Sequence, residues 1–195
     1  MITPEEGQLL YRSLKKALKN EPHHRIFVEL GVRRAETSED IYRFLSENTD
    51  DFSLICVDCD NKSLGAFKSE VGKIVKPRNP AAFLLMTTTE AAAQVALELD
   101  WVFLDACHCF ECCSTDINLW GAKLRVGGVL VVHDTTPRRV KYDKLFQHNK
   151  TRKYGVVQAV ERSRSLKMNF IKLWEVVSQN GIQVYEKVKN EASHD

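Results

Sequence analysis

Apolar residues along this chain fall into short dense runs separated by amphipathic segments. From about Pro4 to Asn20, Leu9, Leu10, Leu14, Ala17 and Leu18 recur at helical spacing with lysines between them. Ile26-Phe27-Val28-Glu29-Leu30 is a strand-like run ending at Gly31, and a helix follows from about Glu36 with Ile41, Phe44 and Leu45 on one face. The strand 52–57 ends in Asp58, and a helix covers roughly Lys62 to Lys73. A third strand, Phe83-Leu84-Leu85-Met86, leads into an alanine-rich helix from Thr89 to Leu99. Trp101-Val102-Phe103-Leu104 is a fourth strand ending at Asp105; a helix from about Phe110 to Leu124 follows, with Gly127-Gly128 as its stop. Val129-Leu130-Val131-Val132 is a fifth strand ending at His133-Asp134. A helix over Gly155–Arg162 comes next. Two alternating segments, Trp174–Val177 and Ile182–Tyr185, then flank Gln179-Asn180-Gly181, which signals a hairpin.

Strands alternating with helices imply a mostly parallel sheet covered on both faces, an α/β fold of the doubly wound, Rossmann-like kind. The closing hairpin adds an antiparallel pair. No repeat, low-complexity tract or linker interrupts the pattern, so the expectation is a single domain over 1–195. It divides into an N-terminal helix (1–22), a core (25–188) and a flexible tail (189–195).

Composition changes this picture little. Hydrophobic residues make up 44% and charged residues 28%, as in globular domains. A net charge of +2 argues against a protein built to coat nucleic acid. No apolar run approaches the roughly 18 residues of a membrane span. The polar, acidic start at Met1-Ile2-Thr3-Pro4-Glu5-Glu6 lacks the layout of a signal peptide, so a cytoplasmic location and reduced thiols are expected.

In such sheets ligands bind beyond the carboxyl ends of the strands. Four ends carry chemistry. At the first, Glu29 and Gly31 precede a helix, so the backbone can approach a ligand and helix-start amides can bond to it. The second ends in Asp58, an acidic residue placed to accept from ribose hydroxyls. The fourth and fifth end in Asp105 and Asp134, whose carboxylates would converge.

These features resemble class I S-adenosylmethionine-dependent methyltransferases, most closely the small-molecule and sugar O-methyltransferase branch. The resemblance rests on Glu29-x-Gly31, Asp105-Ala106-Cys107-His108, Asp116-Ile117-Asn118-Leu119-Trp120, Gly127-Gly128, Val132-His133-Asp134 and the 154–160 segment with its hairpin. It covers about residues 25–188. Two positions depart from the family pattern: Ala35 stands where a glycine is usual, and Cys107 where an acidic residue is usual. After the third strand the chain offers Thr87-Thr88-Thr89 in place of an acidic or Asp-Ser pair.

The resemblance implies that Glu29, Gly31, Asp58, Thr88 and Asp105 hold S-adenosylmethionine. Glu29 before a lone glycine suits the ammonium and hydroxyls of that molecule better than a pyrophosphate. Deprotonating a hydroxyl acceptor is eased by a divalent cation, and oxygen ligands suit magnesium. Asp105 and Asp134 are the candidate metal ligands, with His133 as a further ligand or supporting contact. His108, three residues after Asp105, is the candidate general base, and with Asp105 makes up the candidate catalytic pair. The expected acceptor is a small molecule; a homodimer is one way to complete its pocket.

Two other readings stand beside this one. The basic stretch from Arg138 to Lys153 would suit a nucleic-acid acceptor, and a non-catalytic binding module would keep the fold as a scaffold. Finally, Cys56-x-x-Cys59 and Cys107-x-Cys109-x-x-Cys112-Cys113 contain zinc-like spacings, although buried or incidental thiols are the simpler expectation.

Overall fold

The computed structural model describes residues 2–19, 23–137 and 155–190. Thr3 opens the first helix, α1 (Pro4–Ala17), with a reciprocal cap: its hydroxyl accepts from Glu6 N–H, and the Glu6 carboxylate accepts from Thr3 N–H. Leu9, Leu10, Leu14 and Ala17 then pack into the core. The chain continues through β1 (Arg25–Leu30), α2 (Glu36–Asn48), β2 (Phe52–Asp58), α3 (Asn61–Glu70), β3 (Ala81–Leu85), α4 (Thr88–Gln94), β4 (Leu99–Leu104), α5 (Phe110–Lys123) and β5 (Leu124–His133). Two short helices, α6 (Val156–Arg162) and α7 (Arg164–Asn169), precede the hairpin β6 (Phe170–Val176) and β7 (Ile182–Lys187).

The seven strands form one sheet in the order β3-β2-β1-β4-β5-β7-β6. The first five are parallel; β7 runs antiparallel to both β5 and β6. Successive side chains of β4 alternate between two cores. Trp101 and Phe103 face α1 and α2 with Phe27, Val129 and Val131. Val102 and Leu104 face α4, α5 and α6 with Ile117, Trp120, Leu130 and Val132. Both faces of the central strands are therefore apolar, as a doubly covered parallel sheet requires. Among the described residues no helix is long and apolar enough to cross a membrane.

Two boundaries differ from the sequence expectation for tertiary reasons. The alanine-rich helix stops at Gln94, and Leu99 belongs to β4, where it pairs with Leu124 and is fully buried. Strand pairing here overrides local helix preference. Gly127-Gly128 is not the stop of α5. That helix ends at Lys123, and Lys187 Nζ donates to the carbonyls of Ala122 and Leu124 at 2.8 and 2.6 Å, which does the capping. The glycines lie within β5, in the irregular stretch where its register against β4 shifts between the Leu99 and Trp101 pairings.

At the amino edge of the sheet Asp100 is fully buried. Its carboxylate accepts from Ile26 N–H at 2.8 Å, meets His23 Nε2 at 2.7 Å and pairs with Arg125 Nε at 3.2 Å. Removing it takes one partner from the half-buried Arg125 and leaves the Ile26 amide without its acceptor. Asp100→Ala should cost about 2 kcal/mol of stability in urea denaturation, and Asp100→Asn less. Ligand binding by the folded fraction should be unchanged, because the strand ends that carry the candidate site lie at the opposite edge.

Candidate active site

Parallel pairing brings Gly31, Asp58, Asp105 and Asp134 to one edge of the sheet. Gly31 has φ +90°, and a Cβ added to it would overlap the carbonyl of Asp105. The close approach expected of this glycine is thus made by the β4 end of the protein itself. Asp58 Oδ2 accepts from Val32 N–H at 2.9 Å and Arg33 N–H at 3.1 Å, and its Oδ1 accepts from Asp60 N–H at 2.9 Å. The carboxylate pins the turn between β1 and α2. Ala35 ends that turn in the left-handed region, with φ 61°, fully buried and without a side-chain cap. An alanine there carries about 1–2 kcal/mol of strain that a glycine would not.

Glu29 points into the core on the α2 side and is 1% exposed. The Ser38 hydroxyl donates to Oε2, and Cys56 Sγ approaches the same oxygen at 3.5 Å. Oε1 has no hydrogen-bond partner among the described residues. Burial pushes the Glu29 carboxyl up to about 8, beyond what the Ser38 and Cys56 bonds restore. Thr88, at the start of α4, donates to Asp116 Oδ1 on α5 at 2.6 Å. Asp116 is buried, its Oδ2 lacks a partner among the described residues, and burial raises its pKa to about 6. The Asp116–Trp120 segment therefore reaches the strand ends through Thr88.

The densest electrostatics lie at the ends of β4 and β5. His108 Nε2 is 2.8 Å from Asp134 Oδ2 and 3.5 Å from Asp105 Oδ1. His133 Nδ1 is 3.0 Å from Asp105 Oδ1, and its Nε2 is 3.4 Å from Glu6 Oε2. Burial alone would favour neutral His108, but the hydrogen bonds and charges of Asp105 and Asp134 outweigh it and push the imidazole up to about 10. His133 is raised likewise, against its burial, by Asp105, Asp134 and Glu6. Asp105 is held well below the usual carboxylate range by the two histidines, which overcome the cost of its burial.

Ligand atoms of Asp105, His108 and Asp134 lie within 4.8 Å of one another, a spacing that admits a shared cation. His133 is not part of that set: its Nδ1 meets Asp105 at 3.0 Å and Asp134 at 3.9 Å, while its Nε2 is turned to Glu6. In this arrangement His108 is a proton holder at neutral pH, not yet a base.

Glu6 belongs to this network and was not legible as a site residue. It is fully buried and also accepts from Gly181 N–H at 2.7 Å and from the Ser178 hydroxyl, both in the hairpin loop. Thr135 and Thr136 N–H in turn donate to the carbonyls of Gly181 and Asn180 at 3.3 and 2.8 Å. The only trace in the sequence is the capping pattern Thr3-Pro4-Glu5-Glu6. The basic stretch from Arg138 to Lys153 lies outside the described residues.

A family model described as a methyltransferase domain matches residues 28–135, more than half of the chain. The chain belongs to this methyltransferase family, within the class I fold.

A comparison with curated proteins finds no sequence match. Several solved structures share the fold at low identity. The O-methyltransferase TomG from Streptomyces achromogenes, in complex with SAM and involved in tomaymycin synthesis, superposes with a TM-score of 0.69 at 15% identity, over 97% of this chain and 82% of that one. An rRNA methylase from Streptococcus thermophilus gives 0.63 at 14% identity, over 97% and 99%. The N-methyltransferase NodS from Bradyrhizobium japonicum gives 0.61 at 12% identity, over 96% and 98%. Shared architecture across three acceptor types leaves the acceptor to the site itself.

Burial opposes the ionisation of Glu6, but bonds from Ser178, Thr3 and Gly181 and the charge on His133 prevail and bring its pKa from 4.5 to about 2. A carboxyl lowered on folding stabilises the fold above its unfolded pKa, and that contribution is lost as pH falls through the folded value. Stability should therefore decline between about pH 4.5 and 2. Glu6→Gln should cost on the order of 3 kcal/mol at pH 7 and flatten this acid limb, as read by urea denaturation at a series of pH values.

Proposed function

We infer that this methyltransferase moves the methyl group of S-adenosylmethionine to a hydroxyl of a small molecule or sugar, with a divalent cation at the acceptor. The observation that carries this reading is the convergence of Asp105, His108 and Asp134 at the ends of adjacent parallel strands.

The donor residues fit the cofactor. Asp58 uses Oδ1 for a single loop amide and retains acceptor capacity for a ribose hydroxyl. Glu29 keeps a buried oxygen without a partner among the described residues, and a nearby ammonium would favour its ionised form. Gly31 fixes the turn against Asp105, so the cofactor side and the acceptor side share one backbone contact. Thr88, oriented by Asp116, stands on the adenine side.

When bound, S-adenosylmethionine would supply an electrophilic methyl on a sulfonium, which the acceptor oxygen attacks in line as S-adenosylhomocysteine leaves. Asp105 and Asp134 would hold the cation, which supplies positive charge to a deprotonated hydroxyl. With both carboxylates so engaged, His108 would lose the partners that retain its proton and release it to solvent, and its Nε2 could then accept the proton of the acceptor hydroxyl. His133, braced by Glu6, keeps Asp105 in orientation.

Calorimetric titration with S-adenosylhomocysteine, with and without magnesium, tests the reading. Micromolar binding, about 8 kcal/mol, is expected, and no binding under either condition would overturn it in favour of a scaffold. Asp134→Asn should abolish magnesium uptake while leaving S-adenosylhomocysteine binding within about threefold, because this side chain lies on the acceptor side. Steep salt dependence of oligonucleotide binding would instead move the acceptor to nucleic acid.

A further inference from the structure

Beside this constellation lies a second set of ligating atoms that methyl transfer does not use. Cys107 and Cys109 flank His108, and Cys112 is in the first turn of α5. Their Sγ atoms all lie within 4.8 Å of one another. Cys107 and Cys109 Sγ are 3.5 Å apart, and Cys107 also hydrogen-bonds to Cys112. Cys109 is buried and caps α5, accepting the Cys112 N–H on sulfur at 3.4 Å. The turn is tied down from outside by Gly155 N–H, which donates to the His108 carbonyl at 2.8 Å.

The spacing discriminates between chemistries. All six cysteines are reduced, and 3.5 Å is far beyond the roughly 2.05 Å of a bonded sulfur pair. Three sulfurs at about 2.3 Å from one tetrahedral ion would stand about 3.8 Å apart. The observed triangle needs only a small adjustment to reach that.

The other cysteines do not join. Cys56 is fully buried in the opposite core, and β1 separates its strand from β4. Cys113 packs into the core beneath α5. The zinc-like spacing Cys56-x-x-Cys59 therefore carries no site with this cluster.

We propose that Cys107, Cys109 and Cys112 bind a soft divalent cation of the zinc type through three sulfurs. Each ligating thiol gives its proton to solvent on binding, with no change of oxidation state. Three protein ligands leave the fourth tetrahedral position to water or to an incoming ligand. Because His108 lies between two of the ligands, an occupied site fixes the turn that presents its imidazole to Asp105 and Asp134. This site goes beyond the proposed methyl transfer and does not depend on it.

The test uses the full chain, reduced, stripped with chelator and then titrated with zinc or cadmium alone. Wild type should take up a single zinc ion, and cadmium should give thiolate-to-metal charge-transfer absorption. Cys107→Ser and Cys112→Ser, both at half-buried positions, should each weaken zinc binding more than about tenfold, since even supporting partners of a ligand are worth about that much. Cys59→Ser and Asp134→Asn should retain it, and circular dichroism checks that every variant is folded. The proposal is overturned if reduced wild type takes up no zinc. It is equally overturned if cadmium gives no sulfur band, or if zinc survives in folded Cys107→Ser and Cys112→Ser but is lost in Asp134→Asn. S-adenosylhomocysteine titrations on the same samples separate failure here from failure of the methyltransferase reading.

Discussion

Asp105 is the residue on which both halves of the site depend. Its backbone N–H donates to Leu30 O at 2.9 Å, and its carbonyl lies where any side chain at residue 31 would have to go. Its carboxylate meets His133 and His108. One residue thus joins the β1 turn, where the cofactor is expected, to the end of β5, where the acceptor is expected. Gly31 is required for that junction by packing alone, before any ligand is considered.

Bringing Glu6, Asp105 and Asp134 into one largely buried region would be costly without compensating cations. The two histidines answer that cost in different ways. His133 is enclosed between Glu6 and Asp105 and serves as an internal brace. His108 sits on the rim between Asp105 and Asp134, with its surroundings open to change when a ligand engages the carboxylates. Glu6 matters because it ties α1 and the hairpin loop, through Ser178 and Gly181, to the same imidazole. The amino-terminal helix and the last strands are thereby coupled to the site although neither supplies a strand end to it.

Much of the architecture was legible because its signals are local. The apolar runs at β1, β2, β4 and β5, the helical spacing in α1 and α2, and the Asn180-Gly181 turn each announce an element without reference to the rest of the chain. The structure departs from the local pattern where a distant partner decides. Leu99 leaves a helix-prone segment to pair with Leu124, and Lys187 caps α5 in place of the glycines that follow it.

The site divides along the same line. By itself the sequence determined that Glu29, Asp58, Asp105 and Asp134 stand at strand ends, because strand period and the direction of parallel pairing place them there. It also set Cys107, Cys109 and Cys112 on one turn. Only the tertiary structure decided that His108 approaches Asp134 most closely while His133 bridges Asp105 and Glu6, and that Cys56 is walled off by β1. Periodicity reports which face a residue takes within its own element. Which side chains from different elements meet is set by packing across more than a hundred residues of chain, as with Glu6 and His133, and no local pattern encodes that distance.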